Sequence, residues 1–497
     1  MFRFAVLLLA AALGSQAQDN PASKAARSWR QTHERDILAE FVALLSIPNI
    51  ASDKPNIEKN ANAIVQMMER RGVAAKLLRV EGANPLAYGE IKTPGATRTI
   101  VLYAHYDGQP LDPKEWATPP FTPTFKNKDA EVKLDGTSRI DPEWRLYARS
   151  TGDDKAPILA MMTALDAIKA AGLKTKSNIR FVFEGEEEAG STNLQRILET
   201  HKNLLTGDVW LICDGPVHQS RRQQIVFGAR GVTSINLTVY GPKRELHSGH
   251  YGNWAPNPAM MMARLLSSMK DDDGRILVED YYKGVVPLSA AEKKAISEAP
   301  AVDQMMMDEL WLGRTENAGK RLEEAIALPS LNVRGMASAR VGGGASNVIP
   351  ASATATIDMR LVLGITPEQA VERVTQHIRQ QGYFVTAKEP TEQERRTHPK
   401  IAWLQRSEKG YPAVKTSMDL PISRELIRVV ESARGPSIKM PTLGGSVPLY
   451  MIVDVLNAPC VLIPIANHDN NQHSFNENMR IQNLWDGIEL MAALLAM

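Results

Sequence analysis

The chain has 497 residues, of which 43% are hydrophobic and 23% charged, as is usual for a globular protein with more than one domain. The formal net charge is only +2 and no basic run is present, so the sequence carries no electrostatic signature of nucleic-acid binding. The charge balance by itself favours no other class of partner.

Residues 1–17 have the pattern of a secretory signal peptide. Arg3 precedes an apolar run from Phe4 to Leu13, and Ser15 and Ala17 fit the small-x-small pattern before a cleavage site. The run of about ten residues is too short to span a bilayer. We therefore expect cleavage after Ala17 and an exported product, periplasmic or secreted, with no membrane attachment. The alternative is a buried N-terminal helix.

Strands and helices alternate over residues 18–228. The segments "TIVLYAHYD", "NIRFVFEGEEE" and "VWLICDG" are predicted strands, and "APILAMMTALDAIKAAG" is a predicted helix that ends at Gly172. Strand centres that are apolar throughout indicate a sheet covered on both faces. The sequence thus predicts an α/β fold with a mostly parallel mixed sheet between two layers of helices.

The pattern changes near Arg230. The segments "GVTSINLTVYG" and "ATATIDMRLV" alternate like half-exposed strands, and "APNPAMMMARLLSSM" and "TPEQAVERVTQHIRQQG" are predicted helices. They predict an α+β domain over residues 229–411, inserted into a first domain that resumes over residues 412–497. Cys213 and Cys460 lie in apolar runs, where two buried free thiols are favoured over a disulfide, although spacing alone does not decide.

Acidic and imidazole side chains recur where predicted strands end or turns precede helices. They are His105 and Asp107 in "AHYDG", Asp153 and Asp154 in "TGDDK", Glu187 and Glu188 in "GEEEAG", Asp214 in "CDG", and His473 in "NQHSFNE". Taken singly, such motifs are usually surface pairs, solvated runs or helix caps. Together they can converge at one edge of a sheet. Oxygen and imidazole ligands without thiolate suit Zn²⁺, Mn²⁺ or Co²⁺ in a hydrolytic site.

These motifs resemble those of the two-metal peptidase and deacylase family that includes carnosinase-type dipeptidases, carboxypeptidase G, aminoacylase and succinyl-diaminopimelate desuccinylase. The matching segments occur in the family's order along nearly the whole mature chain, and "RELHSGHYGN" and "GGSVPLY" favour the dipeptidase branch. The full set is "HYDGQP", "DDK", "EGEEEAGS", "CDG", "RELHSGHYGN", "NVIPASATATIDMRLV", "GGSVPLY" and "NQHSFNE".

The resemblance implies a zinc-peptidase type catalytic domain with two divalent metal ions, Zn first and Mn or Co as alternatives. One ion would bind His105, Asp153 and Glu188. The other would bind His473, Asp153 and Asp214, so that Asp153 bridges the two. The peptide bond between Asp153 and Asp154 would be cis.

The resemblance also implies catalytic and substrate-binding roles. Glu187 would be the general base, and Asp107 would orient His105. The inserted domain would be a ferredoxin-like lid and dimerisation domain, and His247 of the partner subunit would polarise the scissile carbonyl of the substrate. The positions that match substrate-binding residues are Asn347, Arg360, Gly445 and Ser446.

The predicted function is therefore hydrolysis of the amide bond of dipeptides or short peptides with a free C-terminal carboxylate. A metal-bridging hydroxide would attack, and Glu187 would accept its proton. One alternative is an N-acyl-amino-acid deacylase or amidohydrolase on the same site. A second is a non-catalytic binding protein, which the completeness of the candidate site disfavours.

Some positions depart from the family pattern or lie outside it. Phe475 stands where the family commonly has proline, and Glu184 and Glu186 have no assigned role beyond support of the site or solvent exposure. His468 and His250 lie close to motif histidines but outside the matched positions. The remaining histidines are predicted to lie at the surface: His33, His201, His218, His377 and His398.

Overall fold

The computed structural model describes residues 20–135, 139–317, 319–406, 410–445, 447 and 449–497. The predicted signal peptide and Ser446 lie outside these residues. Within the described ranges, no helix is both long enough and apolar enough to cross a membrane.

The described residues form fifteen helices and twenty-one strands, numbered here in chain order. The helices α1 to α15 are Pro21–Leu45, Lys54–Arg70, Lys155–Ala170, Leu194–Thr200, Lys202–Leu205, Ser248–Tyr251, Pro258–Ser267, Ala290–Glu298, Asp303–Glu309, Leu322–Ile326, Pro367–Gln380, Glu392–Thr397, Pro421–Arg434, Leu449–Leu456 and Ile481–Leu495. The strands β1 to β21 are Ala74–Leu78, Leu86–Ile91, Thr99–His105, Thr124–Asn127, Ala130–Val132, Arg145–Tyr147, Asn178–Glu184, Val209–Ile212, Gln224–Val226, Gly228–Ala229, Gly231–Tyr240, Leu246–His247, Ser330–Ala337, Val348–Ile349, Ser352–Leu361, Phe384–Thr386, Ile401–Arg406, Val414–Lys415, Ile438–Met440, Cys460–Leu462 and Asn478–Arg480.

The first domain is built on an eight-stranded sheet in the order β1-β2-β7-β3-β8-β20-β9-β19. The central pairs β7–β3, β3–β8 and β8–β20 are parallel, whereas β1–β2, β2–β7 and β20–β9 are antiparallel. Successive residues of a strand point to opposite faces. Ile100 and Leu102 accordingly pack into one apolar cluster, and Val101 and Tyr103 into another. The predicted mixed sheet with helices on both faces is confirmed.

Helix α3 supports the sheet from one side and carries the Asp153–Asp154 turn at its start. Nearly all of its residues are buried, and it packs against α1 and α15. Lys155 is buried as well, and its Nζ donates to the carbonyls of Leu44 at 3.0 Å and Ile47 at 3.2 Å. Burial lowers the pKa of Lys155 to about 7. The turn is thus attached to a helix with little freedom to move.

The second domain has a five-stranded sheet in the order β13-β15-β11-β17-β16. Apart from the shorter elements between them, the chain order of this domain is strand, helix, strand, strand, helix, strand, formed by β11, α7, β13, β15, α11 and β17. The first four strands of the sheet are antiparallel to their neighbours, in the arrangement of a ferredoxin-like domain. Its core is a separate apolar cluster that includes Ile235, Leu237 and Val239. The predicted ferredoxin-like α+β domain is confirmed.

Residues 271–330 are polar and Met-rich, without the periodicity that predicts long elements, and they contain the short helices α8, α9 and α10. Helix α8 packs against β19 of the first sheet, and Glu292 of this helix pairs with Lys415 at 2.5 Å. His218 of the first domain approaches Glu323 of α10 at 3.9 Å. Tyr281 of the same segment lies in the core of the second domain. The segment therefore contacts both domains.

Two predictions about individual side chains have opposite outcomes. Cys213 and Cys460 are both buried free thiols, as favoured from sequence. The predicted surface position is wrong for two histidines, because His218 is only 3% and His377 only 5% exposed. His377 faces Ser268 at 2.9 Å, and polar neighbours in sequence did not reveal this packing.

Candidate metal centre

Three of the predicted site segments meet where parallel strands end. Strand β3 ends at His105, β7 leads into Glu187 and Glu188, and β8 ends two residues before Asp214. Because β3 lies between β7 and β8 and runs parallel to both, their carboxyl ends form one edge of the sheet. The chain order therefore brings these side chains together.

Asp153 lies between two imidazoles. Its Oδ1 is 2.9 Å from Nε2 of His105, and its Oδ2 is 3.1 Å from Nε2 of His473. The same nitrogen of His473 is 3.3 Å from Oε2 of Glu188. Ligand atoms of His105, Asp153 and Glu188 all lie within 4.8 Å of one another. The peptide bond between Asp153 and Asp154 is cis, as expected.

Asp214 belongs to a second group that the sequence did not predict. Its carboxylate, that of Asp154 and the His105 imidazole offer ligand atoms within 4.8 Å of one another. Oδ2 of Asp154 accepts from the main-chain N–H of His105 at 3.2 Å, whereas Oδ1 is buried without a hydrogen-bond partner. His473, predicted to share an ion with Asp153 and Asp214, lies 3.1 Å from Asp153 and 3.3 Å from Glu188.

Asp107 connects the end of β3 with the loop that follows β7. Its two carboxylate oxygens each accept one main-chain N–H at 3.0 Å, from Glu187 and from Glu188. Nδ1 of His105 lies 3.5 Å from the Asp107 carboxylate and 3.1 Å from its carbonyl oxygen. Asp107 thus contacts His105, as expected, and also fixes the loop that carries the predicted base.

Glu477 fixes the opposite loop, and its role was not predicted. It is fully buried and accepts from the main-chain N–H groups of Ser150 at 2.9 Å, Gly152 at 2.9 Å and Asp153 at 3.0 Å. It also accepts from Arg149 at 3.0 Å. Its position four residues after His473 in the motif "NQHSFNE" was the signal that could have identified it.

Glu184 and Glu186 are buried supports of the site. Tyr103 donates to Glu184 at 2.6 Å. Glu186 accepts from the main-chain N–H groups of Asn84 at 3.1 Å and Asn193 at 2.7 Å. These bonds attach the acidic loop to the segment before β2 and to the start of α4. The two carboxylates are 1% and 4% exposed, so the acidic run is not a solvated one.

The site holds more carboxylates than the nearby imidazoles neutralise. Burial raises the pKa of Glu187 well above its usual range, that of Glu188 to about 8 and that of Asp214 to about 6. Burial also disfavours ionisation of Asp153, but hydrogen bonds with His105 and His473 outweigh it and lower the pKa. Excess negative charge and an unpartnered Asp154 oxygen fit divalent cations.

His247, predicted to act on the substrate, and Asn347, predicted to bind it, both lie in the inserted domain. His247 is exposed, its ring lies 4.5 Å from that of His250, and its Nδ1 accepts from Gly249. Asn347 accepts from the main chain of Ser248, beside His247. Among the described residues, no hydrogen bond or ion pair joins His247 or Asn347 to the acidic cluster.

The other two described positions lie in different surroundings. Nε of Arg360 is 3.3 Å from the carboxylate of Asp358 on the same strand of the inserted domain. Gly445 is exposed in the first domain. Ser446 lies outside the described residues.

Comparison with known proteins agrees with this geometry. A sequence profile described as "Peptidase family M20/M25/M40" matches residues 101–497. The Cys-Gly metallodipeptidase dug1 of Schizosaccharomyces pombe is 25% identical over 478 residues, covering 91% of this chain and 94% of that protein. The Beta-Ala-His dipeptidase of Homo sapiens is 28% identical over 424 residues, covering 82% and 76%.

Solved structures share the fold. An M20 family metallo-carboxypeptidase, Sso-CP2 from Sulfolobus solfataricus, superposes with a TM-score of 0.74 at 25% identity over 93% of this chain and 98% of that one. Human carnosine dipeptidase 1 gives a TM-score of 0.70 at 22% identity over 95% and 99%. With the profile match over most of its length and the carboxylate–imidazole cluster at the sheet edge, the chain belongs to peptidase family M20/M25/M40 and is a metal-dependent peptidase.

Proposed function

We propose that the protein hydrolyses the amide bond of dipeptides or short peptides that end in a free carboxylate. The observation that carries the proposal is the position of Asp153, whose two oxygens face His105 and His473 while Glu188 closes the group. Relatives named as dipeptidases, aligned over most of this chain, support the substrate class.

The metal ions would be held by His105, Asp153, Glu188, Asp214 and His473, with Asp154 beside them. Divalent ions, Zn first and Mn or Co as alternatives, supply Lewis acidity and lower the pKa of a water molecule when bound. The protein's share is to orient these ligands, and Asp107 and Glu477 do so by accepting main-chain hydrogen bonds from the loops that carry Glu188 and Asp153.

Glu187 is the proposed general base. Its side chain is half-buried near His105, and Asp107 accepts its main-chain N–H at 3.0 Å. Because burial raises its pKa, the carboxylate readily accepts the proton of the attacking water and then returns it to the leaving amine. The neighbouring Glu188 turns instead towards His473 and Asp153, so the two adjacent glutamates have separate tasks.

The carboxylate end of the substrate would bind the inserted domain. Arg360 offers a planar guanidinium suited to a carboxylate, and Asn347, Gly445 and Ser446 are the other proposed contacts of the substrate. His247, which is exposed and does not reach the cluster of its own chain, would polarise the scissile carbonyl from a partner subunit. The proposed active form is therefore a homodimer joined through the inserted domain.

A panel of dipeptides and N-acyl amino acids tests the proposal, with metal content measured on the same sample. We expect metal-loaded protein to cleave dipeptides and metal-stripped protein to lose activity and regain it on adding Zn²⁺. Cleavage of acyl amino acids with no cleavage of any dipeptide would instead establish the deacylase alternative.

We also propose that the protein is exported, on the pattern of residues 1–17 alone. Expression of the full chain followed by cell fractionation and N-terminal sequencing tests this. The expected product starts at Gln18 and lies outside the cytoplasm. A product in the cytoplasm that retains residues 1–17 would contradict it.

A further inference from the structure

A cavity of about 530 Å³ opens beside the candidate metal centre and is lined partly by His473. One wall is the segment from Pro110 to Trp116, and the other is the segment from His473 to Phe475. Gln109, directly before the first wall, donates to Oε2 of Glu188 at 2.6 Å. The cavity is therefore continuous with the place where the reaction is proposed to occur.

Each wall of the cavity carries an apolar side chain. Phe475 is 49% exposed, which is unusual for a phenylalanine, and Leu111 lies half-buried opposite. Trp116 forms the floor, and the guanidinium of Arg149 lies 5.0 Å from its ring centroid. Arg149 is buried and forms an ion pair with Glu477 at 3.0 Å, so the carboxylate of Glu477 neutralises the guanidinium charge. An apolar portion of a ligand would gain contact here.

The rim of the cavity is negative. Asp112 and Glu115 are both exposed. Within the described residues, the carboxylate of Asp112 accepts only from the main-chain N–H of Lys114 at 3.0 Å, and the carboxylate of Glu115 has no hydrogen bond or ion pair. Lys114 forms no ion pair with either carboxylate in that part of the chain. The cavity thus has two exposed carboxylates at its rim that form no ion pair within the described part of the chain, and Phe475 also lines it.

We propose that this cavity binds the amino-terminal residue of the substrate and prefers a cationic side chain of the length of lysine or arginine. The inference rests on the proposed function, in which the inserted domain binds the substrate's carboxylate. Every residue that lines the cavity belongs to the first domain, so it is available to the amino-terminal side. The aliphatic stem packs on Phe475 and Leu111, and the cation lies near Glu115.

Lysyl-glycine and norleucyl-glycine test the proposal, because the two side chains have similar stems and differ in charge. With metal-loaded protein we expect kcat/KM to be about three- to fivefold higher for the lysyl peptide, the effect of a partly exposed ion pair. In Glu115→Gln the ratio falls to about one, and in Glu115→Lys it falls below one, since a like charge now faces the substrate. A wild-type ratio of one or less would overturn the proposal.

Two further variants separate charge from packing. Phe475→Ala is expected to lower kcat/KM for both peptides by a similar factor of about three to ten, because each loses the same apolar contact. Glu131→Gln, on the exposed strand β5, serves as the matched control and is expected to change neither value. If the ratio of kcat/KM between the lysyl and norleucyl peptides stays at the wild-type value in both Glu115 variants, the proposed cation subsite is refuted. The proposed dipeptidase function would not be affected by that result. Failure to cleave any dipeptide would remove the proposed function as well.

Discussion

Asp107 and Glu477 are single carboxylates that hold the main chain on either side of the metal centre. Asp107 accepts two N–H groups of the acidic loop, and Glu477 accepts three around Asp153. A buried N–H that loses its acceptor costs about 1–3 kcal/mol. The ligand geometry thus depends on residues that do not themselves approach the metal ions, in the way that supporting hydrogen bonds orient ligands generally.

The Glu187→Gln variant tests the proposed base. We expect kcat to fall by about 10²- to 10⁴-fold, because the amide cannot accept the proton of the attacking water. Metal content should stay at the wild-type value, since Glu188 and the other ligands remain. Turnover and bound metal are measured on one preparation, with the exposed Glu81→Gln as control. Wild-type turnover in Glu187→Gln would refute this assignment.

The Glu477→Gln variant tests the support of the Asp153 loop. An amide has one oxygen in place of two, and its NH₂ group would face main-chain donors. We expect the free energy of unfolding to fall by about 2–4 kcal/mol and the affinity for metal to fall with it. Urea denaturation and metal titration provide the measurements.

A matched exposed carboxylate provides the control for that experiment. Glu58 pairs with Arg79 at the surface, so Glu58→Gln should change the free energy of unfolding by less than about 1 kcal/mol. Equal effects in the two variants would mean that Glu477 has no special role. Rescue of metal affinity in Glu477→Asp would point to the carboxylate itself rather than to packing.

At the level of elements, the ends of β3, β7 and β8 concentrate buried acids at one edge of the sheet. Burial raises the pKa of Glu184 and Glu188 to about 8 and that of Asp214 to about 6. In the unfolded chain such groups titrate near pH 4. The metal-free folded protein therefore binds protons that the unfolded chain has already released.

This difference predicts how the stability of metal-free protein depends on pH. A raised pKa contributes stability that is complete below about pH 4 and is lost as the pH rises through the folded-state value. Between pH 5 and 7 the free energy of unfolding should fall with a slope of about 1.4 kcal/mol per pH unit for each proton involved. Burial lowers the pKa of His377, so this group makes the free energy of unfolding rise with pH. It is a single group, whereas several carboxylates have a raised pKa.

Urea denaturation of EDTA-treated and Zn²⁺-loaded protein at pH 5, 6 and 7 measures the effect. We expect the gap between the two forms to widen with pH, because metal replaces protons on the same carboxylates. Asp214→Asn should flatten the slope near pH 6 in the metal-free form. Metal-free protein that becomes more stable from pH 5 to 7 would contradict the prediction. Above pH 7 the lowered pKa of Lys155 adds a slope of opposite sign.

At the level of the whole molecule, the two sheets have separate cores and the segment with α8, α9 and α10 links them. His247 lies in the second domain, exposed, while the proposed base Glu187 lies in the first. A closed point-group dimer would place the same surface of each subunit against the other. An active site could then take Glu187 from one chain and His247 from its partner.

Mixing two inactive variants tests this arrangement. His247→Ala and Glu187→Gln are each expected to lose most activity as homodimers. After unfolding and refolding together, half of the randomly paired dimers carry one complete site, so about one quarter of wild-type activity should return. Sedimentation confirms the dimer. No recovery from a proven mixed dimer, or a fully active monomer, would contradict the shared site.

The sequence by itself determined the types of the main elements and the candidate metal ligands. Apolar strand centres, the change of pattern near Arg230 and the order of the acidic motifs are local features, and chain order at parallel strand ends brings His105, Glu188 and Asp214 to one edge. These features depend on neighbours a few residues apart, which periodicity reveals. The resemblance supplied the assignment of roles.

Only the tertiary structure decided which other groups support the site. Glu477 and Gly152 are 325 residues apart in the chain, and Asp107 and Glu187 are 80 apart, so no local pattern reports their hydrogen bonds. The same reason explains why Glu186 is buried within an acidic run, why His218 is buried in a polar one, and how residues 271–330 pack. Main-chain donors brought together by folding, rather than residue type, fixed those positions.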